Sequence, residues 1–129
     1  MTPPDVIHAL QGVRYVPAGR SAEGLDCWGL VLDVCQRLGW PLPPDPLEAA
    51  ASPSARAAIF ARHMVPDDWK RTKPRDGAIG FSPSMDRALH AGIIVAGGLL
   101  DTAEGRGVRW TPIAELNLAD WEFACWAGS

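Results

Sequence analysis

Apolar residues in the first part of the chain recur at helical spacing, whereas those in the second half fall in short runs broken by Gly, Pro or Asp. Val6, Ile7 and Leu10 make one helical stripe, with Thr2 placed to cap it, Pro3 at the tolerated first position and Gly12 to end it. Leu30, Val31, Val34 and Leu38 make another, entered through Asp26, a good N-cap residue, and stopped by Gly39. Residues 12 to 24 read as a loop around Tyr15, punctuated by Pro17, Gly19, Ser21 and Gly24. Four prolines make Trp40 to Pro46 extended, and an Ala-rich helix is expected from Ser52-Pro53 to about His63.

The period then changes. Gly77 to Phe81, His90 to Val95, Leu99 to Asp101, Val108 to Thr111 and Glu122 to Trp126 read as strands, and Thr111 to Leu116 as a short helical turn led by Pro112. Helices first and strands afterwards predict an α+β fold, with the helices packed on one antiparallel sheet. Lys70, Arg71, Lys73 and Arg75 interrupt the pattern as a solvated face, or as a contact for acidic polymer or a neighbouring subunit.

With 129 residues, 47% of them hydrophobic, residues 1 to 129 are expected to form a single domain with a real core. A net charge of −3 gives no general attraction for phosphate backbones, so nucleic acid is not expected as the main ligand. The N-terminus lacks a basic segment followed by an apolar one, so no secretory signal is read there. The most apolar run, Ala91 to Leu100, is too short and glycine-rich to span a bilayer, and no membrane partner is expected. Most of the six tryptophans should be core, with some left for a groove or an assembly contact.

Three cysteines make no even disulfide framework, and nothing near them has zinc-ligand spacing. Cys27 and Cys35 share a helix and lie about 12 Å apart along it, beyond disulfide reach. Cys35 and Cys125 sit among apolar neighbours and read as packing residues. Cys27 differs, because it follows Asp26 into the first helical turn. There, unpaired N–H groups and the helix dipole favour the thiolate, the reactive form.

A cysteine nucleophile needs a base, an orienter for that base and donors for the oxyanion. His90 opens a strand followed by small residues, whereas His8 reads as a helical surface residue and His63 has no comparable setting. A hairpin turn at Gly97-Gly98 would return Asp101 beside His90, with Glu104 near enough to compete as orienter. A carboxylate beside an imidazole fixes its tautomer and stabilises the imidazolium.

Tyr15-Val16, the turn through Arg20-Ser21, Gly24-Leu25-Asp26-Cys27-Trp28-Gly29-Leu30-Val31, Asp76 to Phe81 and His90-Ala91-Gly92-Ile93 together resemble the NlpC-like cell-wall cysteine peptidases. The resemblance implies a papain-like α+β domain that hydrolyses the γ-D-glutamyl to diamino-acid bond of peptidoglycan stem peptides, without metal or cofactor. It implies Cys27 as nucleophile, His90 as base, Asp101 as the third polar residue and Tyr15 as an oxyanion donor with the Cys27 N–H. Asp26 matches a residue that helps hold the substrate peptide, and Trp28 and Arg20 are expected beside it.

Three positions depart from the common pattern. The third catalytic position is more often His, Asn or Gln; Trp28 stands where many bacterial members have serine; and Pro17-Ala18 replaces a tryptophan-glycine pair. The Cys-Trp-Gly-Leu form, Leu38-Gly39 and Leu42-Pro43-Pro44 resemble the branch found at tail tips or hubs of phages and gene transfer particles. That implies other tail proteins as partners, synthesis in the cytoplasm and action on the cell wall. The same residues also admit a structural tail-tip protein of this fold with little or no catalysis, or a cytosolic amidase or acyltransferase.

Overall fold

In the computed structural model, which describes residues 1–21, 23–44, 69–84 and 87–126, two helices precede a six-stranded antiparallel sheet. The helix expected from Ser52 to His63 lies outside the described residues. Helix α1, Pro3–Leu10, begins at Thr2, whose hydroxyl accepts from the Asp5 N–H at 3.3 Å. The Asp5 carboxylate in turn accepts from the Thr2 N–H at 3.0 Å, a reciprocal cap. Val6 and Leu10 are buried, as the stripe requires.

Residues 12 to 25 carry more order than a loop reading suggests. Two-residue strands β1, Arg20–Ser21, and β2, Gly24–Leu25, pair as a small hairpin. Tyr15 bridges Leu25 in parallel, with the Val16 N–H on the Leu25 carbonyl at 3.2 Å and the Leu25 N–H on the Arg14 carbonyl at 3.1 Å. Helix α2, Cys27–Leu38, follows at once, capped by Asp26 and ended by Gly39 in the left-handed region at φ 69°. Trp28, Leu30, Val31, Val34 and Cys35 form its buried face. No helix among the described residues is long and apolar enough to cross a membrane.

The remaining strands are β3 (Trp69–Arg71), β4 (Ile79–Ser84), β5 (Arg87–Val95), β6 (Gly98–Ala103), β7 (Gly107–Pro112) and β8 (Glu122–Trp126), in the spatial order β3-β8-β4-β5-β6-β7. The expected strands are all present. What the charge run concealed is β3, an edge strand whose one buried side chain is Trp69; Lys70 and Arg71 are exposed. Along β5, Ala91, Ile93 and Val95 pack with Leu30, Val31 and Val34 of α2, while Ile94 packs with Leu99 and Phe123 on the other face. Both faces are therefore covered, which is why His90 to Val95 reads as a continuous apolar run. Ile113–Glu115 and Leu118–Asp120, two 3-10 turns between β7 and β8, flank that second face, with Ile113 packed on it.

The β5–β6 turn is one residue earlier than Gly97-Gly98. Ala96 at φ 50° and Gly97 at φ 76° are its central residues, and Val95 pairs with Gly98. Two left-handed residues give the turn whose twist matches the strands. Alanine is strained there, and Asp76 compensates by accepting from the Ala96 N–H at 2.9 Å and the Gly97 N–H at 3.0 Å.

Candidate active site

The start of α2 is held from three sides. Asp26 Oδ1 accepts from the Gly29 N–H at 2.7 Å and from the Arg20 guanidinium, which also donates to the Gly19 carbonyl at 2.8 Å. Gly29 allows this closeness: a Cβ there would strike the Gly19 carbonyl and stand 3.0 Å from Arg20 Nη1. The Gly19–Arg20 loop thus occupies the approach that Gly29 leaves open. Asp26 and Arg20, expected at the substrate, are found joined to each other under the helix, Asp26 being buried.

Asp26→Ala should lower stability by about 2 kcal/mol, combining a lost N-cap with the loss of a partly buried charge partner. Urea unfolding at neutral pH measures it, and Asp26→Asn, which keeps the cap, should lose less than half as much.

Trp28 turns inward. The indole expected beside substrate is 5% exposed and packs against Trp69 and Phe81, with ring centroids 6.0 and 6.3 Å away. Its Nε1–H donates to the Pro44 carbonyl at 3.0 Å. One step past Cys27 on a helix, the side chain turns into the core and ties down the extended segment after α2.

Cys27 itself is half-buried at the first position of α2, where its N–H has no intrahelical acceptor. His90, on β5, hydrogen-bonds to Cys27 and to Asp101, with Nε2 2.9 Å from Asp101 Oδ2. With Nε2 on the carboxylate, Nδ1 is the nitrogen left for the thiol. Continuing the β5–β6 register sets Asp101 opposite Gly92, so the His90 and Asp101 side chains meet on the diagonal of the hairpin. Glu104, the alternative orienter, is exposed in the β6–β7 turn. His8 is exposed on α1, and His63 lies outside the described residues.

Burial alone would lower the imidazole pKa. Hydrogen bonds to Asp101 and Cys27, with the negative charge of each, outweigh it and hold His90 up at about 9. Burial likewise opposes the Asp101 carboxylate, yet the His90 hydrogen bond and the Arg106 and Arg109 charges keep its pKa below the ordinary value. Arg106 Nη2 lies 3.3 Å from Asp101 Oδ2, and Arg109 is the cross-strand partner of Asp101. At neutral pH the site therefore presents an imidazolium beside the Cys27 sulfur, steadied by a buried carboxylate.

Sequence reasoning missed Arg106, Arg109 and Trp121, whose ring centroid lies 5.7 Å from that of His90. The signal for the arginines was Gly105 and Gly107, a turn that folds the chain back on Asp101. Cys35 is buried, with its thiol pushed up to about 12 by desolvation. Cys125 is half-buried with Arg75 Nη2 3.4 Å from its sulfur, and all three cysteines are free. Among the described residues no group of His, Cys, Asp and Glu is arranged to hold a metal ion.

The fold matches an NlpC/P60 family protein from Bacillus cereus ATCC 10987, at 17% identity and TM-score 0.60, over 97% of this chain and 40% of that one. This chain therefore spans about two fifths of that protein. It also matches the NlpC/p60 domain of the peptidoglycan hydrolase SagA, at 17% identity and TM-score 0.56, over 95% of this chain and 92% of that one. These likenesses establish the papain-like α+β fold. No curated protein matches the chain. The NlpC/P60 family model matches residues 12–126, from the loop of Tyr15 to the last strand and through every element that builds the site, and the chain belongs to that family.

Proposed function

We propose that this protein is a cysteine endopeptidase of peptidoglycan, carried by a phage-like tail tip or hub. It cuts stem peptides between γ-D-glutamate and the diamino acid to open the wall locally during DNA delivery. The observation that carries the hydrolytic reading is His90, bonded at once to a helix-start cysteine and a buried aspartate. Family membership supports the wall amide as substrate. The tail placement is supported by Cys27-Trp28-Gly29-Leu30 and the Leu-Gly and Leu-Pro-Pro that follow.

In this mechanism the Cys27 thiolate attacks the amide carbonyl, and the Cys27 N–H and the Tyr15 hydroxyl receive the developing oxyanion. His90 gives its Nδ1 proton to the leaving amine, which departs as the C–N bond breaks and leaves a thioester on Cys27. The now neutral His90 takes a proton from water, whose oxygen attacks the thioester; the C–S bond breaks, the acid product leaves and the thiolate–imidazolium pair is restored. Asp101 stays ionised throughout and stabilises each imidazolium. Asp26 and Arg20 act by fixing the helix start under the peptide.

The test is digestion of purified diamino-acid-containing muropeptides, with products identified by mass spectrometry. Products ending in γ-D-glutamate are expected. Intact muropeptides, together with a requirement for the protein in particle assembly, would replace this reading by a structural tail role.

A further inference from the structure

Asp101 has a second partner besides His90, brought to it by the β6–β7 turn. Ala103 pairs with Gly107, the Arg106 N–H donates to the Ala103 carbonyl at 3.1 Å, and Gly105 and Gly107 are left-handed at φ 79° and 81°. Gly107 seats the turn. A Cβ there would stand 2.8 Å from the Val13 carbonyl oxygen, which accepts from the Val108 N–H at 2.8 Å. From this turn the Arg106 side chain runs back along the hairpin. Its Nη1 donates to the Gly107 carbonyl at 3.1 Å, and its Nη2 lies 3.3 Å from Asp101 Oδ2.

The carboxylate leans on one oxygen. Oδ2 meets both His90 Nε2, at 2.9 Å, and the Arg106 guanidinium, whereas Oδ1 is buried and, among the described residues, has no donor. The other charged groups around the pair are Cys27 from α2 and Arg109, opposite Asp101 on β7; Glu104 in the turn is exposed. Formation of the acyl-enzyme changes this balance. His90 has given its proton to the leaving amine and Cys27 is a neutral thioester, so neither offers a charge to the site. Asp101 is then a buried anion against a neutral ring, with Arg106 as its ion-pair cation. A buried carboxylate without a cation draws a proton onto itself or onto its hydrogen-bonded partner. A proton on either weakens or removes the base that the second step needs.

We propose that Arg106 is a positioning residue for deacylation: as a standing counter-ion to Asp101, it holds the pair as neutral imidazole and ionised carboxylate while water attacks the thioester. The proposal rests on the hydrolytic reading of Cys27 and His90. No bond to Arg106 forms or breaks, and its guanidinium keeps one charge through both steps. It acts on His90 through Asp101. Arg106→Gln removes the charge, whereas Arg106→Lys keeps it and gives up the planar fork that spans Asp101 and the Gly107 carbonyl. The two variants therefore separate charge from shape.

An activated γ-D-glutamyl ester that loads Cys27 tests it, with decay of the acyl-enzyme followed by mass spectrometry from pH 5 to 9. In Arg106→Gln the acid limb of that decay should move up by about one pH unit, so that on the limb the acyl-enzyme lasts about tenfold longer. Arg106→Lys should restore most of the rate. An unmoved limb overturns the role of Arg106 and leaves the hydrolytic reading standing. A second readout needs no turnover. In full-length Cys27→Ala, which like the thioester carries no charge at residue 27, the His90 ring titration is followed by NMR. Adding Arg106→Gln should raise its midpoint by about one pH unit, and Arg106→Lys should return it. An unmoved midpoint overturns the proposal. A midpoint that moves as expected, in a protein that no ester loads, keeps Arg106 as the counter-ion of the pair and removes the hydrolytic reading.

Discussion

Cys27→Ala is expected to lower kcat/KM on stem peptides by at least about 10⁴-fold while changing stability by no more than about 0.5 kcal/mol. The two halves of that expectation have separate physical sources. The rate should collapse because, among the described residues, no second cysteine stands beside His90, and Asp101 is buried and already bonded to the imidazole. Stability holds because alanine is a good helix residue and the N-cap belongs to Asp26, not to the cysteine. Thiol labelling gives an independent check. Cys27 should react far faster than Cys35, whose thiol is buried and pushed up to about 12. A Cys125→Ala background leaves the rapid phase to Cys27 alone. A hydrolytic rate that survives Cys27→Ala would remove the nucleophile from the mechanism, and with it the cysteine peptidase reading.

Asp101→Ala should be the next most damaging change, lowering kcat/KM by about 10²-fold and moving the alkaline limb of the pH profile down by more than one pH unit. The direction follows from what holds His90 at about 9. Remove the Asp101 hydrogen bond and charge, and the opposing burial has only Cys27 against it. The buried end of the site also keeps the Arg106 charge, now without its carboxylate. In the wild type, stability contributed by protonated His90 is full below its ordinary 6.5 and is lost as pH rises through about 9. The Asp101 contribution has the opposite sense: it is present above the ordinary carboxylate value and lost as pH falls through the depressed one. Histidine ring resonances followed from pH 5 to 10 read the His90 titration directly. A His90 midpoint near its ordinary value in the wild type would refute this electrostatic account.

Much of this was legible in the sequence where one local rule decided the outcome. Asp26 and Gly39 bounded α2 correctly because a cap and a left-handed stop act on their own helix. His90 and Asp101 could be paired from hairpin arithmetic even though the turn lies one residue earlier, since the diagonal neighbours remain within reach. What escaped depends on distant partners. Ala96 adopts φ 50° because Asp76, twenty residues upstream, holds its N–H. Strand β3 was hidden because an edge strand with one buried residue has no alternation to read. Trp28 looked available to substrate because nothing nearby in sequence announces the Pro44 carbonyl or the Trp69 ring.

The base and its orienter sit eleven residues apart on one tight hairpin, while the nucleophile arrives from a helix near the other end of the chain. The first contact is local and closes at small entropic cost; the second is long-range and requires α2 to dock on β5 and β6. The imidazole–carboxylate pair can thus form in a nascent hairpin, before the thiol has any partner. Appearance of the fast-reacting sulfur during refolding therefore times the docking of helix on sheet, and the chain carries its own clock for the last step of assembly.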